Sequence, residues 1–208
     1  MPLAPPLGRR IRTRAGEAWF DGDVAEADLD AIADYFHRPD AHLDTLIDRT
    51  RLPDRGALRV RYASWRHTGD PAQMNSVFAL RLANDTGDGA GARLIGFTNL
   101  LRKTPEENYS HWHIIDPADR AGGVSSAVYP TRIELYFDLF PIERLVHQTR
   151  ISNTGVNRML DKFVAVAKTE FVERPDGLAK PGEFHMRYVT RADLPRIRDV
   201  GQRLASGR

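Results

Sequence analysis

The sequence predicts a mixed α/β (α+β) fold in which a mostly antiparallel, twisted sheet is flanked by helices. Three observations lead to this prediction. Several strand patterns separated by turn-forming residues follow one another in the first half of the chain, which favours antiparallel pairing. A strand, a glycine-containing turn, a helix and another strand come next, and such a unit implies a crossover connection. Two final strand patterns are joined by a loop rich in Pro and Gly, as in a hairpin.

Length and composition indicate one domain. The chain has 208 residues, which is too few for two ordinary domains. Of these residues 41% are hydrophobic, which is enough to form one core. We expect this domain to span residues 17–208. Residues 1–16 combine prolines with a cluster of arginines, so we expect them to form a flexible N-terminal tail, with ordered structure from near Trp19.

The individual elements follow from hydrophobic spacing. Leu29, Ile32 and Phe36 recur at steps of three and four residues, which predicts a helix that Pro39 ends. Similar spacing predicts helices at residues 43–47, 125–140 and 154–163. Strand patterns fall at residues 60–65, 76–82, 94–101, 111–115, 145–151, 164–172 and 184–190.

The turn between the strand at 111–115 and the following helix is the sharpest feature of the sequence. Its glycines, Gly122 and Gly123, keep the backbone accessible, and N–H groups at a helix N-terminus can hold a phosphate. We expect Ser125 and Ser126 to cap the helix, and Arg120 to add a positive charge for the same anion. The alternative is an ordinary strand-to-helix turn, and the local pattern alone favours that interpretation. The sequence of the turn matches neither the GxxxxGK[ST] motif nor the GxGxxG motif.

Residues 78–188 resemble the GNAT superfamily of N-acetyltransferases, in particular the branch of ribosomal-protein alanine acetyltransferases and related small-molecule acetyltransferases. The segment Arg120-Ala-Gly-Gly-Val-Ser125 is similar to the family turn [RQ]-x-x-G-x-[GA]. It lies between a strand ending in His-Trp-His-Ile-Ile and an amphipathic helix. Residues 142–150 resemble the next strand of the family, and residues 153–163 resemble its asparagine-led helix.

The resemblance implies acyl transfer from acetyl-CoA to an amine. It places the pyrophosphate on the turn, the pantetheine beside the preceding strand end, and the cofactor also against the start of the later helix. The cofactor-binding residues that it implies are Ile114, Ile115, Arg120, Ala121, Gly122, Gly123, Val124, Ser125, Ser126 and Asn153.

Three departures from the family pattern bear on this assignment. Ser125 stands where Gly or Ala is usual. Pro130 falls beyond the first turn of the expected helix, where it would remove a hydrogen bond and kink the axis, so the helix could begin later. Leu160 occupies the position of a tyrosine that protonates the thiolate in many members, and Val164 replaces a glycine.

His111 and His113 are the candidate catalytic residues. They alternate with Trp112 on a strand, so both imidazoles project from one face of the sheet. An unperturbed pKa near 6.5 suits proton transfer, and His113 lies nearer the expected thioester. An equally supported alternative is that both histidines are hydrogen-bonded sheet residues packed under a helix. A His-x-His pair also occurs in metal sites, but no third ligand has a recognisable spacing, so we expect no metal.

The leading hypothesis is therefore transfer of an acetyl or other short acyl group from acyl-CoA to the primary amine of a small molecule. A protein N-terminus as acceptor is one alternative, and a non-catalytic CoA-binding or interaction domain is another.

The charge balance of the sequence and the patterns that it lacks restrict the expected partners and location. Thirty basic and 28 acidic residues nearly balance, so we expect no nucleic-acid partner. The sequence contains no cysteine, no secretory signal pattern and no apolar run of the roughly 20 residues that span a membrane. We expect a cytoplasmic protein without a membrane partner. The exposed strands and the C-terminal hairpin are compatible with a homodimer.

Overall fold

The computed structural model describes residues 10–70, 72–73, 75–83, 92–120 and 123–205. Within them, eight strands form one sheet in the order β1-β2-β3-β4-β5-β6-β8-β7. The strands are β1 (Ile11–Thr13), β2 (Gly16–Asp21), β3 (Asn75–Ala83), β4 (Ala92–Arg102), β5 (Glu107–Ile114), β6 (Arg144–Arg150), β7 (Lys168–Val172) and β8 (Gly182–Thr190).

Seven α-helices are described along the same parts of the chain. They are α1 (Glu26–His37), α2 (Ala41–Leu46), α3 (Arg55–Ser64), α4 (Pro117–Arg120), α5 (Val124–Leu139), α6 (Thr154–Leu160) and α7 (Leu194–Ala205). None of the described helices is both long enough and apolar enough to cross a membrane.

Strand pairing is antiparallel except between β5 and β6, which are parallel. These two strands are joined by α4 and α5, and a parallel pair requires a crossover of this kind. The mostly antiparallel sheet with flanking helices confirms the fold class predicted from the sequence.

Each face of the sheet carries its own hydrophobic core because neighbouring residues of a strand point to opposite faces. On β3, Phe78 belongs to the core formed with α5 and α7, together with Ile133 and Phe137. Its neighbour Val77 belongs to the core formed with α1, α2 and α3, together with Phe36. The sheet is therefore a central layer with helices on both faces.

The strand expected at residues 60–65 is wrong, because these residues lie in or directly after α3. Leu58 and Tyr62 are buried at a spacing of four, and Val60 between them is 65% exposed. The Asp54 carboxylate accepts from the Ala57 backbone N–H at 2.8 Å and caps the helix. An alternating pattern over six residues suits a strand, but the cap and the spacing of the buried pair decide for a helix.

The two ends of the sheet region also differ from the sequence-based expectation. Residues 1–9 lie outside the described part of the chain, but Ile11–Thr13 pair with β2, so ordered structure begins before Trp19. At the C-terminus, α7 packs on α5, and a Cβ at Gly201 would lie 2.5 Å from the Pro130 ring. The α5 helix begins at Val124 and contains Pro130, so the proline does not delay its start.

Candidate functional site

The central feature of the site is a gap between two neighbouring strands. β5 and β6 pair at only three positions, from Glu107↔Arg144 to Tyr109↔Val146. β5 continues to Ile114 along β4, whereas β6 continues along β8, so no further pairing between β5 and β6 is found in the described residues. Beyond Tyr109 and Val146, the facing edges of β5 and β6 are therefore not paired with each other, which leaves room for a ligand to bond their backbone groups.

A cavity of about 680 Å³ occupies this gap and reaches both faces of the sheet. On one face it is lined by α1 and α2, through residues that include Tyr35 and His42. On the other face it is lined by α5 and α6, through residues that include Ser126 and Met159. A molecule on the helix α5 side can thus meet a second molecule on the helix α1 side through the sheet.

The N-terminus of α5 opens into this cavity. Gly123 is the N-cap residue, with φ of 71°, a left-handed conformation that favours glycine. The Ala127 N–H donates to the Gly123 carbonyl at 3.1 Å, so the N–H groups of Val124, Ser125 and Ser126 precede the first helical hydrogen bond. No side chain caps the helix, contrary to the role expected for the two serines. The free donors suit an anion.

Two basic residues that the sequence analysis missed lie at this helix end. Lys162 donates from Nζ to Ser126 Oγ at 3.2 Å, and both residues line the cavity. Arg158, one turn earlier along the chain, lines it as well. Their spacing of four on and just after α6 was the available signal, since such residues share a helix face. They supply positive charge next to the uncapped N–H groups.

Arg120 lines the cavity but has its ion pair elsewhere. Its Nη2 lies 3.7 Å from Asp40 Oδ2, an ion-pair distance that is too long for a hydrogen bond. Its positive charge also lowers the pKa of His42, second to burial. Arg120 therefore contacts the start of α2, so its expected contact with a phosphate at the turn stays a prediction.

The other residues of the expected cofactor site divide into three groups. Ile114, Gly123, Ser125, Ser126 and Asn153 line the cavity. Val124 is buried in the core beneath the helix start, and Ile115 packs against the core on the α1 side. Ala121 and Gly122 lie outside the described residues. Asn153 is the N-cap of α6, where its side chain accepts from the Val156 N–H at 3.4 Å.

His111 and His113 project from the same face, as predicted, with ring centroids 4.3 Å apart. The His113 ring stacks on Phe97 at 4.9 Å, and its Nδ1 lies 3.1 Å from the Tyr35 hydroxyl. Its Nε2 is enclosed without a hydrogen-bond partner. His111 lines the same cavity, and within the described residues its ring nitrogens make no hydrogen bond. The geometry therefore favours His111 for proton exchange with a molecule in the cavity.

Burial sets the protonation state of both imidazoles. It lowers the pKa of His111 to about 4, with the nearby Arg132 charge as a second cause. Burial also lowers the pKa of His113 well below its usual value, and His111 and Arg120 lower it further. Both rings are therefore neutral at pH 7, because the charged form is disfavoured away from water.

Tyr35 is a further site residue that the sequence analysis missed. Tyr35 lies in α1 next to the core residue Phe36, so the helical spacing alone predicts that it packs in the core. Burial raises the pKa of Tyr35 to about 12, and its hydroxyl remains protonated at neutral pH. This hydroxyl fixes the orientation of the His113 ring through Nδ1.

The loop between β7 and β8 covers the histidine face. Gly177 has φ of 67°, and a Cβ there would lie 3.3 Å from His111 Nδ1. Arg51 holds this loop by donating to the carbonyl of Gly177 at 2.8 Å and to that of Ala179 at 3.2 Å. The Leu178 carbonyl accepts from the Asp48 N–H at 2.7 Å. The segment after α2 and this loop together close the α1 side of the cavity.

The cavity carries a one-sided charge. Among the described residues that line it, there is no Asp or Glu, whereas five are arginine or lysine. These basic residues are Arg120, Arg132, Arg150, Arg158 and Lys162. The described residues contain no cluster of three or more His, Cys, Asp or Glu that would suit a metal ion. The electrostatics of the cavity therefore favour negatively charged or neutral ligands.

Comparison with known proteins gives matches in structure only. No protein-family model matches the chain, and neither does any curated protein sequence. RimJ of Mycobacterium smegmatis, solved in complex with CoA-disulfide, is similar with a TM-score of 0.72 and 14% identity, covering 96% of this chain and 93% of that chain.

Two further solved structures are similar over most of their length. A spermidine N-acetyltransferase SpeG chimera from Vibrio cholerae and hSSAT has a TM-score of 0.64 and 11% identity, covering 86% of this chain and 98% of its own. Aminoglycoside acetyltransferase AAC(6')-Ib in complex with coenzyme A has a TM-score of 0.59 and 15% identity, covering 84% and 95%. These likenesses confirm the GNAT fold that the sequence resemblance implied.

Proposed function

We propose that this protein transfers a short acyl group from an acyl-CoA to the primary amine of a small molecule. The observation that carries the proposal is the single cavity that joins an uncapped helix N-terminus, two open strand edges and a neutral histidine pair. A thioester donor with a phosphate end and an amide-containing arm matches these three parts in order. Solved structures of the same fold hold CoA-disulfide or coenzyme A, which supports the same donor.

The donor would bind along the α5 side of the sheet. Its diphosphate fits the free N–H groups at the start of α5, with Lys162 and Arg158 as countercharges. The two amides of its pantetheine arm can pair with the open edge of β5 as an added strand would. This arrangement directs the thioester towards the point where β5 and β6 separate.

The amine would enter from the α1 side and attack the thioester carbon as the neutral base. After the C–N bond forms, the nitrogen becomes far more acidic, so even the weakly basic His111 accepts its proton. The C–S bond then breaks, and the thiolate leaves. Since a thiol has a pKa near 8.5 and the His111 pKa is about 4, the imidazolium returns the proton to sulfur. His113 and Tyr35 act as positioning residues for this ring pair.

The charge of the cavity restricts the acceptor. With no Asp or Glu among its described lining residues, the cavity offers no partner to a second ammonium group. We therefore propose an acceptor with one amine and an otherwise neutral or anionic body. Polyamines and aminoglycosides would be poor acceptors, although similar structures include a spermidine N-acetyltransferase and an aminoglycoside acetyltransferase.

The test follows CoA binding by calorimetry and thiol release with a panel of monoamines, amino acids and peptides. We expect CoA to bind in a 1:1 ratio, and Lys162→Met to weaken binding roughly threefold to tenfold, as for an exposed phosphate contact. The matched control is Lys168→Met, which removes an exposed lysine paired with Glu170 on β7. Absence of CoA binding at millimolar concentration would contradict the proposal. Thiol release with peptides alone would favour a protein N-terminus as acceptor.

A further inference from the structure

Among the described residues, two arginines are almost fully buried, and only one of these two donates hydrogen bonds. Arg187 is 0% exposed and donates to Asn157 Oδ1 at 2.9 Å and to Asp161 Oδ1 at 2.5 Å. Arg132, on α5, is 2% exposed. None of its N–H groups donates to an acceptor in the described residues, and its Nε is enclosed without a partner. Burying an unpaired charge costs free energy, so the presence of Arg132 at this position calls for an explanation.

Aromatic rings account for part of the Arg132 environment. Its guanidinium carbon lies 4.8 Å from the Trp112 ring centroid and 5.3 Å from the Tyr129 ring centroid. Such contacts stabilise the positive charge but supply no nitrogen or oxygen acceptor. The five N–H donors of a guanidinium lie in its plane and need acceptors at its edge. Because Arg132 lines the cavity, a ligand in the cavity can supply them.

The position of Arg132 corresponds to the thioester end of the donor. It lies eight residues beyond Val124 on α5, which is about 12 Å along the axis at 1.5 Å per residue. A pantetheine arm of twelve bonds spans roughly 14 Å at about 3.6 Å per three bonds. A donor with its diphosphate at the start of α5 thus brings its acyl group level with Arg132. The positive charge of Arg132 also reaches His111 and His147, which flank the point where the strands separate.

Arg132 lies on the donor side of the sheet. It packs on Trp112, which contacts the core formed with α5, whereas Tyr35 and the histidine pair lie on the face covered by α1. A carboxylate that reaches Arg132 therefore belongs to the acyl group of the donor rather than to the acceptor.

We propose that Arg132 binds the terminal carboxylate of a dicarboxylic acyl-CoA, such as succinyl-CoA, and so selects the acyl group. A planar guanidinium binds a carboxylate through two parallel hydrogen bonds, which gives both affinity and orientation. The reaction remains the one proposed above, and its product is an amide that carries a free carboxylate. This inference rests on the proposed function and specifies its donor.

The experiment compares kcat/KM for succinyl-CoA and butyryl-CoA, which have acyl chains of equal carbon number and differ in charge. We expect the wild-type protein to prefer succinyl-CoA by at least tenfold. Arg132→Met should lower the ratio of kcat/KM for succinyl-CoA to that for butyryl-CoA roughly 10- to 100-fold. Arg132→Lys keeps the charge without the planar fork and should retain part of the preference.

Three outcomes would overturn the inference. One is equal use of the two donors by the wild-type protein, which needs no folded variant. The second is an equal loss with both donors in Arg132→Met, which indicates a role in the chemistry or in folding. The third is no loss of preference in folded Arg132→Met. If CoA binds and butyryl-CoA is used equally well, only the donor assignment fails; if CoA itself does not bind, the proposed function fails.

Discussion

The pH dependence of the reaction follows from the low pKa of His111. With a pKa of about 4, this imidazole is protonated in roughly one molecule in a thousand at pH 7. Its titration therefore contributes no inflection to kcat/KM between pH 5.5 and 9. Within that range the rate follows the neutral fraction of the acceptor, which rises about tenfold per pH unit for an amine with a pKa near 10.

The assay measures thiol release at saturating donor over this pH range with a monoamine acceptor. His111→Gln keeps a side chain of similar shape and removes the base, so we expect kcat to fall roughly 10²- to 10⁴-fold while donor affinity stays within a few fold. His185→Gln is the matched control, because His185 lies on β8, bonds Thr169 and does not line the cavity. An inflection near pH 6.5 that disappears in His111→Gln would refute the assignment of a low pKa.

Three further predictions follow. Burial lowers the pKa of His111, His113 and His147, so the unfolded chain takes up protons first as pH falls below 6.5. The free energy of unfolding in urea should therefore fall by about 4 kcal/mol between pH 7.5 and 5.5, and equal stability at the two pH values would contradict this. Gly177→Ala should lower both kcat and the free energy of unfolding, because its Cβ would lie 3.3 Å from His111 Nδ1 at a left-handed position. An unchanged kcat would argue against contact between the loop and the ring. Kanamycin and spermidine should give at least tenfold lower kcat/KM than a neutral monoamine, and preference for either would contradict the charge argument.

The sequence predicts the part of the fold that local pattern determines. The crossover through α5 and the strand with His111 and His113 fall where spacing and turn residues place them, and Asn153 lies at the start of α6, as the family resemblance implied. These elements have long periodic patterns or distinct caps. By contrast, the sequence pattern predicts a strand at residues 60–65, at the end of α3, because a short alternating stretch fits both periods. The Asp54 cap and the spacing of the buried Leu58 and Tyr62 distinguish the helix.

The site residues that sequence reasoning missed acquire their roles through distant contacts. Tyr35 lies in a helical core pattern, and only the folded chain brings its hydroxyl to His113 from 78 positions away. Arg132 lies in α5 and Lys162 just after α6, and in such positions a charged residue is ordinarily solvated. The separation of β5 and β6 turns these residues towards one cavity, and no local signal reports where two strands stop pairing.

A crystal structure of the protein with bound CoA tests the proposed donor site most directly. We expect the diphosphate at the N–H groups of Val124, Ser125 and Ser126, and the sulfur in the gap between Ser110 and His147, within reach of His111. CoA bound at another surface, or with its sulfur away from this gap, would contradict this expectation.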